Sequence, residues 1–413
     1  MRQSQLFTKS RREAPSDETA KNAQLLIRAG YVHKEMAGVY SYLPLGLRVL
    51  QKIQNIIREE MNTVGGQEIV MTALQDKTLW ERTDRWDDKK VDNWFKTKLA
   101  AGGETGLAIT HEEPLTRIMT SHISSYRDLP TMVYQFQNKF RNELRAKSGV
   151  MRGKEFMMKD LYSFAKSAEE HETQYAALRA AYIKVFERLG LADRTYPTFA
   201  SGGVFSDFSE EFQTLSEAGE DTVYVDEEKH VAVNKEVLTD EALAKLGIKR
   251  DKLVEKKAIE SGNIFHLGTR FSEALGLTFT DESGAKKPVI MGSYGIGVTR
   301  MVGIITEVFA DDKGLVWPEN VAPFAVHLVS LSKGDDEISK AADSLYADLT
   351  KAGVEALYDE RDLRAGEKFA ESDLLGIPKR IVVGKDAVAT GSFEVVRRAT
   401  GKVEKVPREN LFA

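Results

Sequence analysis

The chain has 413 residues, 42% of them hydrophobic and 29% charged, with a formal net charge of −5. That length accommodates two or three domains with a sizeable core; no run of about 18 apolar residues provides a membrane span, and the overall charge does not advertise a nucleic-acid binder, although a local basic face remains compatible with it. Cysteine is absent, which excludes disulfides, thiolate catalysis and cysteine-ligated zinc.

The first residues, MRQSQLFTKSRREAPSDETAKN, have no apolar core and carry acids early. They read as neither a secretory signal nor a transit peptide, so a cytoplasmic location is expected. LGLRVLQKIQNIIREEMNTVGG predicts an amphipathic helix with Leu47, Leu50, Ile53, Ile57 and Met61 on one face, stopped by Gly65 and Gly66. QEIVMTAL predicts a strand, DLPTMVYQFQNKFRNE a second and KEFMMKDLYSF a third. Residues 172–190 have helical periodicity, and EEFQTL and DTVYVD read as further strands. The highly charged stretch of about 226–257 breaks the pattern and is expected to be a small surface insertion. The chain changes character near GLVWPENVAPF. AVHLVSLS, a helix around ISKAADSLYADLTKAG, VEALYDE, a helix around EKFAESDLLG, and KRIVVG then alternate as in a separate α/β domain of mostly parallel strands. The expected division is 1–320 and 321–413.

Four stretches carry chemistry. In GSYGIGVTR, a strand (PVIM), a tight glycine turn and a helix N-terminus precede Arg300, which is expected in the first helical turn. A cation there costs roughly 0.3–1 kcal/mol. Exposed amides and a guanidinium both favour an anion, and a solvated arginine after a glycine turn is the alternative. The dinucleotide and P-loop fingerprints both fail here. In FRNELRAKSGVMRGKEFMMKD, strand alternation turns Arg141 and Glu143 the same way, and likewise Phe156, Met158 and Asp160. A loop with Arg145, Lys147, Arg152 and Lys154 joins the two groups. This suits a nucleotide: Arg141 on a phosphate, Glu143 on an exocyclic amine, Phe156 stacked on a base. It also fits a solvated basic hairpin. In LAITHEEPLTRIM, Thr110 and Glu113 form a capping-box pattern, or Glu112 offers a carboxylate to a small cationic substrate. In SEEFQTL, Glu211 and Gln213 share a strand face and could serve Mg²⁺ or phosphate, or simply be solvated. The seven histidines show no pair at metal-binding spacing on one helix, so no histidine metal site is predicted.

Taken together, AGVYSYLPLGLRVL, THEE, FRNE…GVMRGKEFMMKDLYSF, EFQ, IFHLGTRFSEALG, MGSYGIGVTR, GLVWPENVAPF and DERDLRAGEKFAESDLLGIPKRIVVG occur in an order that resembles the class II aminoacyl-tRNA synthetases, specifically the bacterial-type prolyl family, from Met1 to the C-terminus. The resemblance implies an α+β catalytic domain, an antiparallel sheet flanked by helices, over 1–320, and an α/β anticodon-binding domain over 321–413. It implies that L-proline and ATP are joined as prolyl-adenylate and that the prolyl group passes to tRNA(Pro), with Mg²⁺ present and a homodimer as the working form. Arg141 and Arg300 would then be the catalytic groups. Arg141 would contact the α-phosphate and the substrate carboxylate, with Glu143 on the adenine amine. Phe156 and Arg300 would flank adenine, Arg300 also lying near the γ-phosphate, and Arg152 would hold the terminal phosphates. Thr110, Glu112, Phe265 and Ser293 would line the proline pocket, and Glu211 and Gln213 would serve Mg²⁺ and phosphates, Glu211 as its ligand. Arg361, Arg364, Lys368 and Asp373 would face the anticodon, or be ordinary surface charges.

Three departures accompany the likeness. Thr72 occupies the position where the family's first motif usually has proline. Ser293 stands where many relatives have cysteine, and the stretch of about 226–257 replaces the large inserted editing domain. A threonyl-type enzyme would need a zinc cysteine, and the histidyl type has a different substrate loop. A synthetase-like paralogue that binds RNA or regulates without aminoacylating is the alternative from another class, but such proteins usually lose the ATP arginines or the substrate loop.

Overall fold

The computed structural model describes residues 1–144, 148–201 and 208–412. The chain forms two compact units, one of Ala37–Val39 and Ile53–Ile304, the other of Met1–Met36, Tyr40–Lys52 and Ile305–Ala413.

The first unit is built on a nine-stranded sheet. In chain order its strands are β1 (Gln67–Glu68), β2 (Thr131–Phe140), β3 (Glu155–Ala165), β4 (Thr195–Ser201), β5 (Phe208–Leu215), β6 (Asp221–Asp226), β7 (Val231–Asn234), β8 (Val254–Gly268) and β9 (Ile290–Gly297). The order across the sheet is β5-β4-β7-β6-β8-β9-β3-β2-β1. Among the described residues, only β1–β2 and β4–β7 are parallel. The long strand β8 pairs with β6 near its start, with β5 in its middle and with β9 at its end, so one strand links both halves of the sheet. Helices α2 (Glu112–Met119) and α3 (Ala168–Arg188) belong to this unit, as do Ile53–Thr63 of α1 (Pro44–Thr63) and Val298–Ile304 of α4 (Val298–Phe309). Ser167 caps α3, its side chain accepting from the Glu170 N–H.

Several expectations change. Proline at the first position of α1 and Gly65 at φ +84° beyond its end bound that helix where the pattern predicts. Leu50, Ile53, Ile57 and Met61 are buried, but Leu47 is exposed, being outside the buried stripe that Val49 and Ile56 widen instead. QEIVMTAL is not one strand: only Gln67–Glu68 and Leu74–Asp76 pair, in different sheets. The region 226–257 is more than a surface insertion. Its strand β7 sits between β4 and β6, and Val233, Val237, Leu243 and Ile248 bury a small core of their own.

GSYGIG is not a turn either. It is the last part of β9, which runs straight into α4. Its glycines provide room rather than positive φ: a Cβ on Gly292 would lie 2.5 Å from the Tyr294 hydroxyl, and one on Gly295 would lie 3.0 Å from Asn263 Oδ1.

In the second unit, β10 (Val326–Ser330), α5 (Asp336–Lys351), β11 (Ala356–Asp359), α6 (Ala365–Leu375) and β12 (Lys379–Val383) follow the predicted alternation. Two further strands, β13 (Ser392–Arg397) and β14 (Val403–Pro407), complete a five-stranded sheet ordered β11-β10-β12-β13-β14. β10, β11 and β12 are parallel, but β13 and β14 add antiparallel pairs, so the sheet is half parallel. The first residues of the chain pack on this unit. The Met1 ammonium donates to the Ala356 carbonyl at 2.9 Å, and Gln3 Oε1 lies 2.8 Å from His327 Nε2.

Candidate active site

Arg141 is the first residue beyond β2, fixed by its backbone N–H donating to the Lys154 carbonyl at 2.8 Å. Its guanidinium lies 5.2 Å from the centre of the Phe156 ring on β3. It borders two cavities. One, of about 240 Å³, is lined by Glu143, Arg152, Phe156, Glu260 and Arg300 as well as Arg141. The other, of about 320 Å³, is lined by Arg85, Thr110, Glu112, Phe265 and Ser293 as well as Arg141. Met158 and Asp160, which alternate with Phe156 along β3, line the second.

The first cavity is rich in cations that are held in place. Arg300, in the first turn of α4 as expected, has Nη1 3.0 Å from Glu260 Oε2 and donates to the carbonyls of Glu260 at 2.7 Å and Met151 at 3.0 Å. Arg152 bridges Glu143 at 2.9 Å and Glu220 at 2.8 Å. Arg141 differs: among the described residues its guanidinium has no hydrogen-bond or ion-pair partner. Burial, with the Arg300 charge nearby, lowers its pKa. An anion between the two guanidinium groups would relieve that repulsion.

The second cavity is organised around Glu112. Thr110 Oγ1 donates to its carboxylate, at 2.9 and 2.7 Å from the two oxygens, and Ser293 Oγ lies 3.3 Å away. Arg85 Nη1 is 3.4 Å from Glu112 and 2.8 Å from Glu113. No capping box forms: His111 is the N-cap of α2, without a side-chain cap. Glu113 is taken by Arg85 and by Thr83 Oγ1 at 2.8 Å, because a buried guanidinium needs a carboxylate more than a helix end needs a cap. Burial nonetheless pushes the Glu113 carboxyl up to about 7, against the pull of Arg85. Below, Asp160 holds Lys139 at 2.7 Å and the Tyr162 hydroxyl at 3.0 Å.

Glu211 and Gln213 share a face of β5 but do not line the first cavity. Gln213 Nε2 donates to Glu211 at 2.9 Å and to Asp221 at 2.8 Å, and Asp221 is the member of the group that reaches the cavity wall. Burial, with Glu260 nearby, pushes the Glu211 carboxyl up to about 8. Gln213 Oε1 is buried without a partner among the described residues. Carboxylate and amide oxygens are hard donors, the chemistry that suits Mg²⁺.

Sequence reading missed Arg85, Glu220, Asp221 and Glu260. Arg85 stands in TDRWDD, a charged stretch that looks solvated, yet it is 6% exposed and lies 5.0 Å from the Trp80 ring centre. Arg145 and Lys147 lie outside the described residues. In the second unit, Arg361 is clasped by Asp359 at 2.8 Å and Glu371 at 2.5 Å. Arg364, just before α6, is exposed. Lys368 is not a surface charge: it is 1% exposed, with Nζ donating to the Ser330 carbonyl at 2.7 Å. Asp373 accepts from Arg380 at 2.9 Å.

No helix among the described residues is long and apolar enough to cross a membrane. A family described as "tRNA synthetase class II core domain (G, H, P, S and T)" matches residues 95–309, and one described as "Anticodon binding domain" matches residues 325–413. A protein of Hyphomonas neptunium named "Proline--tRNA ligase" is 39% identical over 438 aligned positions, covering 100% of this chain and 99% of its own. One of Paracoccus denitrificans with the same name is 38% identical, covering 99% and 96%. Among solved structures, prolyl-tRNA synthetase of Cryptosporidium parvum complexed with halofuginone and AMPPNP superposes with a TM-score of 0.79 at 19% identity, covering 95% of this chain and 75% of that one. The same enzyme complexed with L-proline and AMP gives 0.76, covering 95% and 73%. The chain belongs to the proline--tRNA ligase family of class II aminoacyl-tRNA synthetases.

Proposed function

We propose that the protein joins L-proline to ATP as prolyl-adenylate and transfers the prolyl group to the 3′ end of tRNA(Pro). The observation that carries this is Arg141, a guanidinium without a hydrogen-bond or ion-pair partner among the described residues, at the border of an arginine-rich cavity and a carboxylate-bearing one. ATP occupies the first, with its α-phosphate at Arg141, its adenine between Phe156 and Arg300 beside Glu143, and its terminal phosphates near Arg152 and Arg300. Proline occupies the second, its secondary ammonium on Glu112 and Thr110 and its ring near Phe265 and Ser293. A proline carboxylate oxygen attacks the α-phosphorus, the bond to the bridging oxygen breaks, and pyrophosphate leaves. The 3′-terminal ribose hydroxyl then attacks the prolyl carbonyl carbon, loses its proton, and AMP departs.

The substrate supplies its own nucleophile, so the protein needs only to position two anions and offset charge as it develops. Glu211, Gln213, Asp221 and Glu260 are the residues that would hold Mg²⁺, which when bound offsets phosphate charge. The domain division is functional: 1–320 for aminoacylation, 321–413 for the anticodon. Arg361 and Arg364 face the tRNA, and Lys368 and Asp373 hold their frame. Binding of tRNA to so acidic a chain is expected to weaken steeply with salt. The working form is a cytoplasmic homodimer, as the family resemblance implies, and sedimentation at twice the 46.2 kDa chain mass would bear out the dimer.

The test is ATP–pyrophosphate exchange across a panel of amino acids, followed by charging of tRNA(Pro). Proline should give the fastest exchange and should be transferred. Absence of proline-dependent exchange would favour a non-aminoacylating paralogue.

A further inference from the structure

Histidines 95 positions apart in sequence meet in the fold. His171 on α3 has Nε2 2.9 Å from Nδ1 of His266 on β8, and Glu172 places a carboxylate oxygen 3.7 Å from the same His266 nitrogen. One donor atom from each residue lies within 4.8 Å of the others. With metal–nitrogen and metal–oxygen bonds of about 2.0–2.2 Å, tetrahedral donors stand roughly 3.3 Å apart. The two measured separations fall on either side of that distance, so small side-chain adjustments complete the geometry.

The surroundings suit a ligand set. The Tyr175 ring stacks on His266 with centres 4.1 Å apart and planes 10° apart, fixing the imidazole. His171 is buried and its Nδ1 has no partner among the described residues, so Nε2 is its only directed contact. His266 and Glu172 are 40% and 64% exposed, which leaves an entry path and an open coordination position. Adjacent strand residues face opposite ways. His266 therefore lies on the face of the sheet away from Phe265, outside the active site.

We propose that His171 Nε2, His266 Nδ1 and a Glu172 carboxylate oxygen form a binding site for a divalent transition-metal ion of the zinc type, which clamps α3 to β8. Three nitrogen and oxygen ligands with a fourth position for water suit zinc, whereas Mg²⁺ prefers oxygen alone.

The test is calorimetric titration of the chelator-treated full-length protein with Zn²⁺, alongside the visible spectrum with Co²⁺. The wild type should bind one equivalent below about 100 µM, show the intense bands of low-coordinate Co²⁺, and melt at a higher temperature with Zn²⁺. His266→Gln and the exposed Glu172→Gln should each weaken that event by about ten-fold or more. The proposal is overturned if no saturable binding occurs, or if the same binding and spectrum persist in both variants, which would place the ion elsewhere, for example among the active-site carboxylates.

Discussion

Arg300 is held at 3.0 Å by Glu260, whereas Arg141, on the wall of the same cavity, has no ion-pair partner among the described residues. The two arginines thus have different states before any nucleotide arrives, one anchored and one waiting. Glu260→Gln should loosen Arg300 without touching the second cavity. Losing a charge-assisted hydrogen bond costs about 1.5–3 kcal/mol, so the KM for ATP should rise roughly ten-fold or more while that for proline stays near its original value. A rise in the proline KM alone, in steady-state exchange kinetics, would contradict this division of labour.

Arg85 holds two buried carboxylates with one guanidinium. Removing it leaves Glu112 and Glu113 without their cation, so Arg85→Ala should destabilise the fold by about 3–5 kcal/mol. Urea unfolding measures this. A change below about 1 kcal/mol would mean the pair is solvated in solution.

Glu211 makes stability depend on pH. Its carboxyl is pushed up to about 8 in the native state, against an ordinary 4.5. Between those values the native state keeps a proton that the unfolded chain releases. This contribution is therefore fully present below the lower value and is lost as pH rises through the upper one. In the absence of divalent cations, Glu211→Gln should flatten the decline of melting temperature between these two pH values. Identical slopes in parent and variant would remove Glu211 from this role.

If the second cavity holds proline as proposed, it should discriminate weakly against alanine, which lacks roughly two methylenes of contact worth about 0.8 kcal/mol each, a factor of roughly 15. With only the stretch 226–257 where an editing domain would stand, alanine-dependent exchange should be measurable and Ala-tRNA(Pro) should survive incubation with the protein. Deacylation faster than in buffer would show a correction activity in this chain.

What the sequence made legible was what depends on local pattern. The helix Pro44–Thr63, the strands Thr131–Phe140 and Glu155–Ala165 and the alternation after residue 325 follow from periodicity, and the position of Arg300 follows from where a helix must begin. What escaped depends on long-range pairing. GSYGIG reads as a turn because glycine usually marks one, but strands β3 and β8 on either side draw it into the sheet, where glycine answers to crowding by Asn263 and Tyr294. Arg85 and Lys368 look like surface charges because neighbouring residues are charged; only the fold reveals the carboxylate or carbonyls that let each be buried. The charged insertion hides a strand because four residues, Val231–Asn234, are too short to show alternation among lysines and glutamates.

The central claim is that Arg141 binds the reacting phosphate and carboxylate at the meeting of the two cavities. Proline-dependent ATP–pyrophosphate exchange by Arg141→Ala, in a variant that melts as the parent does, tests it most directly. Loss of a preorganised donor at developing charge predicts a fall of about 10²–10³-fold or more. Exchange within a few-fold of the parent rate would contradict the account.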